Sequence, residues 1–340
     1  MYTRRLGKSN IEVSALGMGC WAIGGPFRSG RDGRFLAYGQ VNDKESIATV
    51  HKALDLGINL FDTADVYGFG HSEKILGEAL KGRRNQVIIA TKFGNMFDEK
   101  TRTSKSKKSF EPEYIRHALD DSLRRLQTDY IDLYQIHHAR YSSDGALQVQ
   151  NTLEELVEEG KIRYYGWSTD DASRAAKFAK GKYCAAIQYV LTLTRINTPI
   201  AKLCEENDLA GLIRSPLASG TLTGKYNKDT KRASDHMLAN TDFSTERYQK
   251  TFQALNQLKE LIAEDERTLV QTILGYIWAK NDHAIPIPGA KTITQISENA
   301  KVLELGPISQ KLMREIDTIF SDLQMDFSYE NFEYYKEGKK

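Results

Sequence analysis

The sequence predicts an α/β protein: a (β/α)8 TIM barrel with an N-terminal β-hairpin and a C-terminal extension. Three observations carry that prediction. Eight short runs of β-forming residues recur along the 340-residue chain, and amphipathic helical patterns fill the gaps between them. The runs are almost continuously apolar, as strands of a parallel sheet buried on both faces must be. No Pro-, Gly- or Ser-rich linker divides the chain, so residues 1–340 read as one domain.

Taken in order, "RRLGKSNIEVSALGMG" (Arg4–Gly19) reads as a hairpin that turns at "GKSN" and runs into a first barrel strand, Val13–Gly19. The remaining strands are expected at Ile58–Ala64, Val87–Lys92, Tyr130–His137, Arg163–Thr169, Ala185–Val190, Ala210–Ser215 and Ala284–Gly289. Helical periodicity covers Lys44–Leu56, Ser72–Lys81, Pro112–Leu126, Ala146–Glu159, Asp171–Ala179, Pro199–Asn207, Glu246–Glu264 and Thr268–Lys280. Asp43, Asp170 and Ser109 stand where N-caps belong, and Gly57 and Gly160 where helices stop. Two stretches break the rhythm, Gly24–Gly39 and Asn227–Thr245. Long excursions at strand ends are where barrel proteins build covers over their sites. The aromatic tail, Phe327–Lys340, reads as an extension: a flap or a disordered terminus.

Composition narrows the class. A net charge of +2 gives no global reason to expect nucleic acid or a membrane surface as partner. No apolar run approaches the ~20 residues of a membrane span. "MYTRRLGKSNIEV" has no apolar core of a secretory signal, and Cys20, Cys184 and Cys204 have no metal-like spacing and read as free thiols. The expectation is a cytoplasmic protein without a metal.

"GMGCWA" (Gly17–Ala22) matches a dinucleotide-binding fingerprint, but Pro26 and a Gly/Arg loop follow where a helix should open. Its glycines instead suggest a first strand that turns sharply beneath something bulky.

Function in a barrel resides at the C-terminal strand ends. The second strand ends at Asp62, with Tyr67 on the next loop; the third ends at Lys92 and the fourth at His137. A phenol with an ordinary pKa of ~10 exchanges protons poorly near neutrality. A lysine ammonium beside it favours the phenolate, a carboxylate holds the lysine charged, and a neutral histidine can orient a carbonyl oxygen. Such a set protonates a carbonyl but holds no redox group, so it needs a hydride source. Asp65 and His138 lie next to these residues, and Trp21 and Phe93 at strand exits offer walls for an apolar substrate pocket, with Tyr67 and His138 at its edge. "DEKTRTSKSKKS" (Asp98–Ser109) carries five basic residues, read as a solvated loop with attraction of an anionic substrate or nucleic acid as the alternative.

"GINLFDTADVYGFGHSEKILGEAL", "IIATKFG", "DYIDLYQIH" and "GKIRYYGWST" resemble the aldo-keto reductase superfamily, and the resemblance covers nearly the whole chain. It implies a barrel that binds NADP(H) and a small-molecule carbonyl or alcohol substrate. By it the catalytic Asp, Tyr, Lys and His fall on Asp62, Tyr67, Lys92 and His137, while Asp65 shapes a turn. The resemblance also implies cofactor contacts. Ser168, Thr169 and Gln188 would hold the nicotinamide amide, Ser215, Leu217, Gly220 and Lys225 the pyrophosphate, and Gly289, Lys291, Gln295 and Asn299 the adenosine 2′-phosphate and adenine. The chain departs from the family where Arg214 replaces an aromatic expected to stack on the nicotinamide, a place its guanidinium plane can also fill as a cofactor contact, and where Thr169 takes an asparagine's place. The reading that follows is an NADP(H)-dependent oxidoreductase interconverting a carbonyl and an alcohol. A regulatory subunit that binds NADPH with little turnover is the alternative. Substrate identity, reaction direction and oligomeric state are not legible.

Overall fold

The computed structural model describes residues 2–29 and 32–324. The chain opens with the hairpin β1 (Thr3–Arg5) and β2 (Glu12–Ser14), followed by β3 (Met18–Gly19) and α1 (Asp43–Asp55). Then come β4 (Leu60–Asp62), α2 (His71–Ala79) and β5 (Ile88–Phe93), a second hairpin of β6 (Asn95–Asp98) and β7 (Thr103–Lys108), and α3 (Pro112–Leu126). The alternation continues with β8 (Ile131–Ile136), α4 (Ser143–Glu158), β9 (Ile162–Ser168), α5 (Ala172–Phe178), β10 (Cys184–Val190), α6 (Thr198–Glu206) and β11 (Ala210–Arg214). It ends with α7 (Glu246–Leu261), α8 (Leu269–Lys280), β12 (Ala284–Pro286), α9 (Ile293–Ala300), α10 (Val302–Leu305) and α11 (Gln310–Ile319).

Eight parallel strands form one sheet in the order β12-β11-β10-β9-β8-β5-β4-β3. Its two edges meet. The Gly17 N–H donates to Pro286 O at 2.9 Å, the Gly19 N–H donates to Pro288 O at 3.0 Å, and Gly19 bridges Gly289 in parallel register. Pro286 and Pro288 have no N–H, so across this seam they can only accept. A Cβ on Gly19 would lie 2.6 Å from Ile287 O. The "GMG" glycines therefore serve close strand contact at the barrel seam, rather than the sharp turn beneath a bulky group expected from sequence. Inside, Leu60, Ile88, Ala90, Leu133, Leu212, Ile285 and Ile287 fill the barrel, and Leu6 and Val13 of the hairpin region plug its lower end.

The expected boundaries shift where tertiary contacts compete with local pattern. Val13 and Ser14 pair with Arg4 and Thr3 in the hairpin, which leaves only Met18–Gly19 to the barrel. Asn42, not Asp43, caps α1, and Asp171, not Asp170, caps α5. Asp170 is instead occupied by the Val190 N–H at 2.7 Å and by the Arg214 guanidinium. Glu111 occupies the N-cap position of α3, two residues beyond Ser109, and Pro112 opens the helix. The basic run after the third strand is not loop but the strand pair β6–β7.

The two excursions pack on each other. Tyr38 bridges His236, the Met237 N–H donates to Ala37 O at 2.8 Å, and Gln40 Nε2 donates to Asp235 Oδ2 at 2.8 Å. Tyr226 and Phe243, both buried, stack to close the base of the second excursion. The tail, Phe327–Lys340, lies outside the described residues. Among the described residues no helix is long and apolar enough to cross a membrane.

Candidate active site

Three neighbouring strands deliver the central residues. Asp62 is the last residue of β4, Lys92 the penultimate residue of β5, and His137 follows β8 directly. Tyr67 hangs from the turn between β4 and α2. There Gly68, with φ +60°, passes so close to Gly24 that a Cβ would stand 2.0 Å from the Gly24 carbonyl oxygen. No side chain fits, so the turn's path, and with it the phenol's aim, is set by this contact.

Lys92, fully buried, donates through Nζ to Asp62 Oδ1 at 2.6 Å, to Thr63 O at 2.6 Å and to the Tyr67 hydroxyl at 3.3 Å. The second oxygen of Asp62 accepts from Gln188 Nε2 at 2.8 Å and from Gln135 Nε2 at 3.3 Å. Every part of this ion pair is thus held by hydrogen bonds, the condition under which a buried pair survives.

Burial is the largest single influence on Lys92 and would lower its pKa, but Asp62 and Tyr67 together outweigh it, and the ammonium is held above its ordinary value. A lysine so charged is a poor amine nucleophile. For Tyr67, burial dominates: it raises the phenol above its ordinary value although Lys92 pulls it down. Lysine was expected to win that contest. The phenol accordingly keeps its proton at neutral pH. His137 is held well below the ordinary histidine range, first by burial and then by Lys92 and Lys108, so its imidazole is neutral. Its ring meets Tyr67 edge-on at 5.6 Å, and its Nδ1 is buried without a partner among the described residues. Phenol, ammonium and neutral imidazole thus face one another.

Asp65 lies away from this chain. It is buried beside the Glu73–Arg125 ion pair, and burial followed by Glu73 raises its carboxyl well above the usual range. Trp21 lies against Tyr67 with ring centroids 6.0 Å apart, and its Nε1 donates to Leu36 O at 3.1 Å. His138 stacks on Phe110, and its Nδ1 meets Lys108 Nζ at 2.7 Å. Phe93, expected to wall the substrate pocket, is 0% exposed and stacks on Tyr134 at 4.5 Å. Its ring is core, because the last residue of β5 points outward to the helices while Lys92 points in.

The residues expected at a cofactor form a second group. Ser168 ends β9 and Thr169 follows it, both buried, and the Thr169 hydroxyl donates to Ala139 O at 2.8 Å. Gln188 spends an amide N–H on Asp62. Arg214 pairs with Asp170. After β11 the backbone takes left-handed conformations at Ser215 (φ +52°), Ala218 (+46°) and Ser219 (+57°), and Leu217 sits among them. Such strain in non-glycine residues collects at ligand sites. Lys225 lies over Gly220 and over the Tyr226 ring, and Arg232 stacks on that ring at 3.9 Å with its Nε buried and unpartnered among the described residues. Arg232 and Lys291 stand close enough to Lys225 and His236 to disfavour the charge of both. Burial first, then Arg232, Lys225 and Lys291, bring His236 down to about 4. Burial, Arg232 and Lys291 likewise lower Lys225. Lys291 Nζ donates to Tyr38 O at 3.0 Å and Gln40 O at 2.7 Å, clipping the first excursion to the strand-eight side. The Lys291 N–H donates to Gln295 Oε1 at 2.8 Å, Asn299 is buried on α9, and Gly289 stands at the rim opposite Gly19.

Sequence reading passed over four residues here. Gln135 carried a signal, since it stands two residues before His137 on an inward-facing strand register. Asp170, Arg232 and His236 carried none, because the neighbours of Asp170 come from the ends of β10 and β11 and those of Arg232 and His236 from distant loops.

The chain matches the Aldo/keto reductase family over residues 15–320. It belongs to that family. It is 31% identical to the aldo-keto reductase yakc [NADP(+)] of Schizosaccharomyces pombe, over 92% of this chain and 90% of that protein. It is 32% identical to the NADH-specific methylglyoxal reductase of Escherichia coli, over 92% of this chain and 97% of that one. Among solved structures it resembles the glycerol dehydrogenase AKR11B4 from Gluconobacter oxydans, with a TM-score of 0.79 and 30% identity, covering 96% and 98% of the two chains. These relatives are aldo-keto reductases or dehydrogenases, so membership makes this chain an oxidoreductase of the family.

Proposed function

We propose that this protein reduces the carbonyl of an aldehyde or ketone to an alcohol, or runs the reverse reaction, with NADP(H), and that Tyr67 is the group that gives or takes the proton. The observation that carries this reading is the continuous chain from the buried Asp62–Lys92 pair to the half-buried Tyr67, at 2.6 and 3.3 Å, beside a neutral His137. When bound, the nicotinamide supplies or accepts the hydride at the carbon. The chain's own residues do the rest. His137 donates a hydrogen bond to the carbonyl oxygen and fixes its direction, which a neutral imidazole can do without charging. Tyr67 passes its proton to that oxygen, and the Lys92 ammonium stabilises the phenolate left behind. Asp62 keeps Lys92 charged; Gln188 and Gln135 hold the far carboxylate oxygen.

The donor set fits a polyanionic cofactor. Lys225, Arg232 and Lys291 are cations crowded together at the strained turn after β11, and phosphate groups there would relieve their mutual repulsion. NADPH is favoured over NADH because Lys291 stands before α9, whose N-terminus suits a further phosphate. The relative named for NADH specificity makes this the point to test. The test follows NADPH and NADH oxidation side by side with 4-nitrobenzaldehyde, for the wild type and for Tyr67→Phe. Turnover of NADPH that is lost in the variant supports the reading; full activity in the variant would overturn it.

A further inference from the structure

One cavity lies outside the residues so far given a role. The Gly24–Gly39 excursion, the turn that carries Tyr67 and the β6–β7 hairpin enclose a cleft of about 400 Å³. That is the size of a small-molecule site. Its floor is aromatic. Phe27 meets Phe69 edge-on at 5.4 Å, and Phe35 lies nearby under the Arg28 guanidinium at 3.9 Å. Its mouth is cationic, with Arg28 on one side and Arg102 on the other. Among the described residues neither guanidinium has a carboxylate within ion-pair distance; Arg28 reaches Gly33 O and Arg102 reaches Gly68 O.

Two details argue that the charge is placed. Arg102 occupies a left-handed turn position (φ +53°), where glycine or asparagine would be cheaper. From there its side chain spans to Gly68, next to Tyr67. Of the hairpin's two acids, Glu99 is turned inward and taken by Lys74, Arg124 and Arg125 at 2.6, 2.9 and 3.1 Å, and Asp98 accepts from the Thr101 N–H at 2.8 Å in the turn, while Lys100, Lys105 and Lys107 face solvent and leave the hairpin's outer face positive. What faces an incoming ligand is therefore positive over an apolar floor, and the floor residue Phe69 is two residues from the proton donor.

Resting on the reading of Tyr67 as proton donor, we propose that this cleft receives the far end of the carbonyl substrate, and that this end is an apolar, ring-sized body carrying a carboxylate. The floor takes the ring, and Arg28 and Arg102 pair with the anion. Small uncharged aldehydes are then incomplete substrates.

The test compares 6-formyl-2-naphthoate with 2-naphthaldehyde, with NADPH, in the wild type and in an Arg28→Gln/Arg102→Gln double variant. The wild type is expected to favour the carboxylate by about tenfold in kcat/KM, through KM. In the double variant the ratio of the two falls towards one. Equal use of both aldehydes by the wild type, or a preference that survives in the double variant, overturns the inference while leaving carbonyl reduction intact. If neither aldehyde is reduced, carbonyl reduction fails instead. The cleft is then tested by titrating 2-naphthoate and following its fluorescence. Saturable binding that is weakened about tenfold in the double variant supports the cleft, and equal or absent binding in both proteins overturns it.

Discussion

The two halves of the barrel rim are built on opposite electrostatic plans. On the side of β4, β5 and β8, the buried charges at the strand ends have their partners inside the chain: Lys92 has Asp62, and Asp62 has Gln188 and Gln135. On the side of β11 and β12, Lys225, Arg232 and Lys291 crowd together, and Asp235 is the acid that most eases Lys291. The first side is finished before any ligand arrives, as preorganised catalysis requires. The second is left positive, and the cofactor phosphates proposed there would complete it. The same removal of one cation should therefore have opposite consequences on the two sides.

The largest expected effect tests the finished side. Tyr67→Phe removes the proton and little else, so kcat for carbonyl reduction should fall by about 10²–10⁴-fold with the melting temperature unchanged. Next is Lys92→Met, which strands the Asp62 carboxylate in a buried site. Breaking such a pair costs about 3–5 kcal/mol, seen as a lower denaturation midpoint, and activity falls with it. Adding Asp62→Leu should return much of the stability and none of the activity. A Lys92→Met protein as stable as the wild type would show that the pair is not buried as described.

Lys225→Met makes the contrast. It removes a cation from a crowd of cations, so the ligand-free protein should melt no lower than the wild type, while NADPH binding by fluorescence weakens about tenfold. A clear loss of stability in the absence of cofactor would mean that Lys225 has a structural partner, and the two sides would no longer differ in kind. A smaller effect belongs to Gln135→Leu. Gln188 still holds Asp62, so kcat should drop only a fewfold, about the worth of one buried hydrogen bond near 1 kcal/mol, and KM should hold.

This contrast also marks what was legible in the sequence. The barrel was, because buried parallel strands and amphipathic helices imprint their periods locally. Asp62, Lys92 and His137 were, because a polar residue closing an apolar run marks a strand's inner end. The bonds from Gln135 and Gln188 to Asp62 were not, since they depend on the register of β8 and β10 across the barrel interior. Phe93 was misjudged for the same reason: adjacent strand residues face opposite sides, and Lys92 had already taken the inward one. Arg232 and His236 became visible only when the two excursions docked through Tyr38 and Met237.

The smallest expected effect separates the halves in one experiment. Tyr67 sits above its ordinary range, by burial, and His137 well below its own, so neither changes charge between about pH 6 and 9. The limiting rate of reduction should therefore be flat across that window. Oxidation of the alcohol, which needs the phenolate, should climb towards its upper end. Cofactor binding should behave differently, because the 2′-phosphate of NADPH loses part of its charge below a pKa of about 6. The cations around Lys291 then have less to hold, so KM for NADPH should rise on acidification while KM for NADH stays level. A limiting rate that falls near pH 6.5 would mean that His137 charges in the working enzyme. A fall near pH 8 would mean that Lys92 depresses the phenol more than burial raises it, and the finished side would then be open to titration after all.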